Sequence, residues 1–241
     1  QLVELLNEYL TEMCDIIIAN DGTVDKFEGD AIIAFFGAPI THPDHATRAC
    51  LATVSMQERL DVLRPIYYEQ YTQQLFQRIG LSTGECVVGN MGSRSRFDYT
   101  MMGDTVNLAA RLESSAKQYA VYSQIADSTY AGAKDHIEVR ELDTTIVVGR
   151  TEPMTTYELL SRKGELDPTM AKVVASYHEG LAYYRDSKWE QAIEKYTAAI
   201  AADPDNGDKA SQVMIDRCQS ILSGEVTMEP DWGGVWALTE K

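Results

Sequence analysis

Apolar residues recur at spacings of three and four over residues 2–19, through Leu2, Leu5, Leu6, Tyr9, Leu10, Met13, Ile16 and Ile17, which predicts an amphipathic helix. Asn20-Asp21-Gly22 ends it. Period-two alternation then takes over. Thr23–Phe27 and Ala31–Phe36 read as short strands, and Glu28-Gly29-Asp30 between them leaves room only for a tight hairpin. Gly37-Ala38-Pro39 closes the second strand, and Pro43-Asp44 opens a helix with Ala46, Ala49, Cys50, Ala52, Val54, Met56 and Leu60 on its apolar side. A polar stretch occupies about 65–76. Arg78–Thr83 and Glu85–Asn90 alternate around Gly84 and predict a second hairpin. Phe97–Met102 predicts a further strand, and Gly103-Asp104-Thr105 caps a helix expected to reach about Tyr119. Ile137–Val148 and Met154–Leu160 are expected as closing strands around the turn Gly149–Pro153. This alternation of elements suggests an α/β sandwich over residues 1–160.

Beyond Ser161–Gly164 the strand signal stops, and helices are expected at about 168–186, 189–202 and 207–222, followed by a tail bearing tryptophans. Gly180, Tyr183, Ala192, Tyr196, Ala199 and Pro204 fall at the spacing of a tetratricopeptide helical pair. A single such unit cannot bury its own apolar face, so it is expected to pack on the first domain or on a protein partner. Pro230, Trp232 and Trp236 are expected to dock the tail on the same surface.

Composition narrows the function classes. The 241 residues are 44% hydrophobic, enough for one large core or one core and a smaller module. Lys and Arg number 21 against 37 Asp and Glu, a net charge of −16, which argues against nucleic acid or an anionic membrane as a partner. The longest apolar runs are far short of the roughly 20 residues that span a bilayer. Cys14, Cys50, Cys86 and Cys218 form no C-x-x-C pair and sit in apolar or helical sequence, which predicts buried thiols and a reducing, cytoplasmic setting. The chain starts inside a helical pattern with no initiator Met or leader, and reads as part of something longer.

A few residues carry candidate chemistry. Asp30, at a hairpin tip beside Gly29, is placed to meet a hydrated cation and its phosphate, or is simply a turn aspartate. Lys26 lies among Val24 and Phe27; its ammonium can donate to an acceptor such as adenine N1 and would oppose the N1–H of guanine, unless it faces water as an ordinary lysine. The Thr100 hydroxyl can accept from an exocyclic amine, although a strand threonine is most often structural. Asn107 and Arg111 share a helix face near its N-terminus, either as a phosphate clamp or as a solvated pair.

Asp21–Ala31 and Phe97–Glu113 together resemble the catalytic core of class III nucleotidyl cyclases. Gly84–Gly92 is similar to that family's intervening hairpin and Gly149–Pro153 to its closing turn. The resemblance covers residues 1 to about 160 and far less of the helical tail. It implies an α+β, ferredoxin-like catalytic domain over 1–162, followed by a tetratricopeptide-like extension over 163–241. It further implies a wreath-like homodimer with active sites at the interface, converting ATP to 3′,5′-cyclic AMP and pyrophosphate. In those terms Asp30 resembles the second of two aspartates holding two Mg²⁺ or Mn²⁺ ions, one activating the ribose 3′-hydroxyl and one bridging the triphosphate. Lys26 and Thr100 resemble the adenine-selecting pair, Asn107 the ribose-positioning residue, and Arg111 the one facing the α-phosphate. Guanine-selective relatives carry an acidic residue and usually a cysteine where Lys26 and Thr100 stand.

The chain departs from the family pattern twice. The first metal aspartate belongs to a strand preceding Gln1, so the chain from Gln1 onward is expected to have little or no activity. Val148 occupies the place of a triphosphate lysine, with Arg150 two residues on as the substitute. A guanylyl or mixed-purine cyclase, and a non-catalytic dimerisation and nucleotide-binding module, are the alternatives.

Overall fold

The computed structural model describes residues 1–146, 152–228 and 232–237. Helix α1 (Leu2–Ala19) turns Leu5, Met13 and Ile17 inward onto Met56, Leu60, Leu63 and Tyr67 of α2 (His45–Tyr71). Arg59 of α2 grips Glu12 of α1 at 2.7 and 2.8 Å, fixing the pair's register. The same core receives Val24 from β1 (Gly22–Glu28) and Ile32, Ala34 and Phe36 from β2 (Ala31–Phe36). The first part of the polar stretch at about 65–76 is helical: α2 runs through Pro65 to Tyr71. An interior proline costs about 3 kcal/mol. Burial of Leu63 and Tyr67 on either side of it offsets that cost.

The central sheet has the order β3-β6-β8-β7-β9, built from Ile79–Leu81, Ser123–Ala126, Met154–Arg162, Ile137–Ile146 and Val235–Ala237. β3 runs parallel to β6, β8 is antiparallel to β6 and β7, and β9 adds parallel to β7. The hairpin expected around Gly84 does not form. Instead β4 (Val87–Ser93) pairs with β5 (Arg96–Met102), from Val87↔Met102 to Ser93↔Arg96, while β3 turns away to β6. Alternation identified strands here but could not identify their partners. Helix α3 (Asp104–Ala116) stops short of Tyr119, because the chain turns at Ala120 with φ +55°. β6 and the short α4 (Asp127–Ala133) had no sequence signal: every β6 residue is buried, so nothing alternates.

Helices α5 (Pro168–Arg185), α6 (Trp189–Ala202) and α7 (Lys209–Leu222) share one core with the sheet side of the molecule. Tyr177, Leu181, Tyr184, Tyr196 and Met214 pack with Ala116, Tyr119, Val121 and Leu142. Gly180 lets the Tyr196 ring approach; a Cβ there would lie 2.8 Å from it. Two buried ion-pair networks cross the same boundary. Arg140 of β7 lies between Glu158 of β8, at 2.6 Å, and Asp208 at the start of α7, at 2.7 Å. Arg217 of α7 meets Asp143 of β7 at 2.6 Å. Trp232 packs edge-on against Tyr184, and Trp236 lies under the Arg217 guanidinium. Pro230 falls outside the described residues. All four cysteines are free: Cys50 and Cys218 are buried as expected, whereas Cys14 is half-buried and Cys86 exposed. Among the described residues no helix is long and apolar enough to cross a membrane.

Candidate active site

The β1–β2 ribbon presents Asp30 at its tip. Glu28 pairs with Ala31, leaving Gly29 and Asp30 as a two-residue loop, with Gly29 at φ +66°. Such loops want a left-handed first residue, which glycine adopts without penalty. The Asp30 residue is exposed.

Lower in β1 the register slips between Val24, opposite Ala34, and Lys26, opposite Ile33. Asp25 is therefore an extra residue, a β-bulge, of the kind that re-aims side chains beside functional sites. In a regular strand Asp25 and Lys26 would point to opposite faces. Here Lys26 Nζ lies 3.7 Å from Asp25 Oδ2, so the two converge. The Thr100 hydroxyl of β5 donates to that same Oδ2 at 2.6 Å. Asp25 thus gathers Lys26 and Thr100 from two hairpins, with its own side chain only 2% exposed and that of Lys26 41% exposed. The sequence reading missed Asp25; adjacent opposite charges between the apolar Val24 and Phe27 were the available signal.

β5 leads directly into α3. Leu108 and Leu112 face inward onto Ala126, Met154 and Trp236, which leaves Asn107 exposed and Arg111 half-buried on the neighbouring face. Neither side chain has a hydrogen-bond or ion-pair partner among the described residues. Asn107, one turn into α3, and Arg111, a further turn along on the same face, are two polar groups at i,i+4 available to an external phosphate. Gly80 on β3 sets the depth of that helix: a Cβ there would stand 2.1 Å from the Ala109 carbonyl oxygen and 2.4 Å from the Glu113 nitrogen.

The site residues therefore fall into two sets. Lys26 and Thr100 meet at Asp25, and Asn107 and Arg111 follow on the helix that Thr100's strand feeds. Asp30 has no hydrogen bond or ion pair to any of them within the protomer. Arg150 and Val148 lie outside the described residues. Among the described residues no group of three or more His, Cys, Asp or Glu side chains could hold a metal ion. Asp30 offers a single exposed carboxylate, one donor that would hold a pair of cations only together with a second carboxylate from outside the described residues.

The β4–β5 ribbon carries Val87, Phe97 and Met102 at 67, 62 and 66% exposure, and Phe27 of β1 is also exposed. An isolated two-stranded ribbon is marginal in water, and clustered exposed apolar residues mark an interaction surface.

Residues 1–161 match the sequence pattern of the adenylate and guanylate cyclase catalytic domain. Adenylate cyclase 1 of Rhizobium meliloti is 33% identical over 175 residues, 73% of this chain and 26% of that protein, so the chain spans about a quarter of its relative. Among solved structures, the adenylyl cyclase CyaB from P. aeruginosa superposes with a TM-score of 0.63 at 37% identity, covering 69% of this chain and 85% of that one. The guanylyl cyclase Cya2 superposes with a TM-score of 0.62 at 34% identity, covering 68% and 83%. The match over residues 1–161 takes in both ribbons and α3, which carry Lys26, Asp30, Thr100, Asn107 and Arg111. The chain has the α+β cyclase fold with helices added at its C-terminus, and it belongs to the adenylate and guanylate cyclase catalytic domain family.

Proposed function

We propose that this chain is the catalytic portion of an adenylate cyclase, forming 3′,5′-cyclic AMP and pyrophosphate from ATP as a homodimer. The observation that carries the choice of ATP is the meeting of Lys26 and Thr100 on one buried carboxylate. An ammonium there donates to adenine N1 and meets a clashing N1–H in guanine, while a threonine oxygen accepts from the adenine amine. Exposed apolar residues on the β4–β5 ribbon support a second copy as the partner that covers it. In such a dimer Asp30 of one protomer faces Lys26, Thr100, Asn107 and Arg111 of its mate across a shared cleft.

This chain's own residues bind, orient and neutralise. Lys26 and Thr100 hold the base, Asn107 positions the ribose so that its 3′-oxygen lies in line with the α-phosphorus, and Arg111 neutralises charge growing on the α-phosphate. Arg150 is assigned the triphosphate in place of the lysine that Val148 replaces. When two Mg²⁺ or Mn²⁺ ions are bound they would polarise the 3′-hydroxyl and the phosphates. Asp30 supplies one of their carboxylates, and a strand upstream of Gln1 supplies the other. The open edges of β2 and β3 border one apolar core, through Ile32, Ala34, Phe36 and Ile79, which supports insertion of such a strand between them. The chain starting at Gln1 accordingly releases little pyrophosphate by itself. The α5–α6 pair is read as a tetratricopeptide-like unit with a face for a protein partner, and four free thiols favour a reducing cytoplasm.

The test is substrate competition in a chain extended upstream of Gln1, at fixed Mn²⁺. Lys26→Glu with Thr100→Cys reverses two polar matches worth about 1–3 kcal/mol each, so ATP use falls at least tenfold relative to GTP. Unchanged ATP turnover and selectivity would refute the assignment of base recognition.

A further inference from the structure

We infer that Asp25 is a specificity-determining positioning residue, a buried carboxylate that locks the Thr100 hydroxyl and the Lys26 ammonium into the polarity that reads adenine. The inference rests on the proposed use of ATP and on Lys26 and Thr100 as the base-reading pair.

Threonine is an ambiguous reader. Its hydroxyl has one proton and two lone pairs, and left to rotate it can offer a donor to guanine O6 as readily as an acceptor to the adenine amine. The 2.6 Å contact to Asp25 Oδ2 removes that freedom. A carboxylate only accepts, so the one hydroxyl proton points at Asp25 and the threonine can present only lone pairs to a base. Lys26, 3.7 Å from the same oxygen, is drawn to the same spot and can only donate. One acceptor and one donor of fixed polarity match adenine's amine and N1, and oppose guanine's O6 and N1–H at both positions.

Three features mark Asp25 as built for this. The bulge at Val24/Lys26 puts two consecutive side chains on one side of the ribbon, which regular pleating forbids. Its side chain is 2% exposed, and burying a charge is costly unless something is gained from it. Its other oxygen, Oδ1, is buried with no hydrogen-bond partner among the described residues, a second acceptor left unsatisfied beside Thr100 and Lys26. A purely structural aspartate would be expected to satisfy both oxygens.

The experiment measures kcat/KM for ATP and for GTP in the upstream-extended protein, for wild type, Asp25→Asn, Asp25→Ala, Thr100→Val and the Asp25→Asn, Thr100→Val double variant. Where turnover is slow, displacement of a fluorescent ATP analogue by ATP and by GTP supplies the same ratio. Asn is isosteric and offers Thr100 either polarity; Ala offers none. Both should lower the ATP-to-GTP ratio about tenfold, chiefly by improving GTP, as expected for releasing one directed hydrogen bond. With Thr100→Val no hydroxyl remains to orient, so adding Asp25→Asn should leave the ratio where Thr100→Val alone puts it. A wild type that favours ATP combined with Asp25 variants that keep its ratio within about twofold, or with additive effects in the double variant, overturns the role of Asp25 alone. A wild type that prefers GTP, or binds neither nucleotide, overturns the underlying reading as well.

Discussion

Replacing Arg217 with Met should destabilise the junction between the helices and the sheet strongly and in a pH-dependent way. Arg217 Nη1 lies 2.6 Å from Asp143 Oδ2, and the two side chains are 8% and 0% exposed. The same carboxylate accepts from the Tyr119 hydroxyl at 3.1 Å and, through Oδ1, from the Thr144 amide at 2.8 Å. The guanidinium also lies 4.2 Å from the Trp236 ring centroid. Removing the cation that pairs with it strands a buried carboxylate, which costs about 3–5 kcal/mol. Burial already pushes the Asp143 carboxyl above its usual range, with Arg217 opposing that rise. Without Arg217 it rises further. A carboxyl whose folded pKa exceeds its unfolded one is penalised most above the folded value, and the penalty vanishes below the unfolded value near about 4. The deficit of Arg217→Met should therefore shrink as pH falls from 7.5 to 5.5. Urea unfolding followed by fluorescence of Trp189, Trp232 and Trp236 measures it. Adding Asp143→Asn removes the stranded charge and should restore most of the loss. A cost under about 1 kcal/mol at pH 7.5, or a deficit that ignores pH, would refute the idea that this ion pair ties the helices to the sheet.

Gly80→Ala should push α3 outward, because the added methyl meets helix backbone rather than a flexible side chain. A loss of about 1–3 kcal/mol in thermal unfolding and a lowered kcat are expected, since Asn107 and Arg111 move with the helix. His178 Nε2 accepts the Glu141 amide at 3.0 Å, and burial holds the imidazole below its ordinary pKa. Stability tied to the neutral ring is complete above the unfolded pKa near about 6.5 and is lost as pH falls through the folded value. His178→Gln, whose amide oxygen still accepts, should flatten that acid-side loss in unfolding measured from pH 7.5 to 5.

Elements formed by near neighbours in the chain were legible. Helix α1, the Gly29-Asp30 ribbon and the step from β5 into α3 each follow from one local period and one turn signal. Partners distant in sequence were not. Ile79–Leu81 pairs with Ser123–Ile125, and nothing in either short run names the other. The continuation of α2 through Pro65 into the polar stretch depends on burial of Leu63 and Tyr67, a tertiary effect that local polarity does not register. Lys26, Thr100, Asn107 and Arg111 stood out through motif spacing. Asp25 did not, because its role depends on a register slip, and alternation assumes that no slip occurs. The docking of α5–α7 was expected only as a need for cover; the buried Arg140 and Arg217 that tie it down lie on β7 and α7, and no local period marks either as buried.

The shared cleft is tested most directly by mixing two inactive proteins. Asp30→Ala and Arg111→Ala, each in the upstream-extended chain, should separately abolish cyclic AMP formation. In a symmetric dimer that draws Asp30 from one protomer and Arg111 from the other, random exchange makes half the dimers mixed, each with one intact site, so activity should return to about a quarter of wild type. Mixtures that remain inactive although the protomers demonstrably exchange would contradict the account.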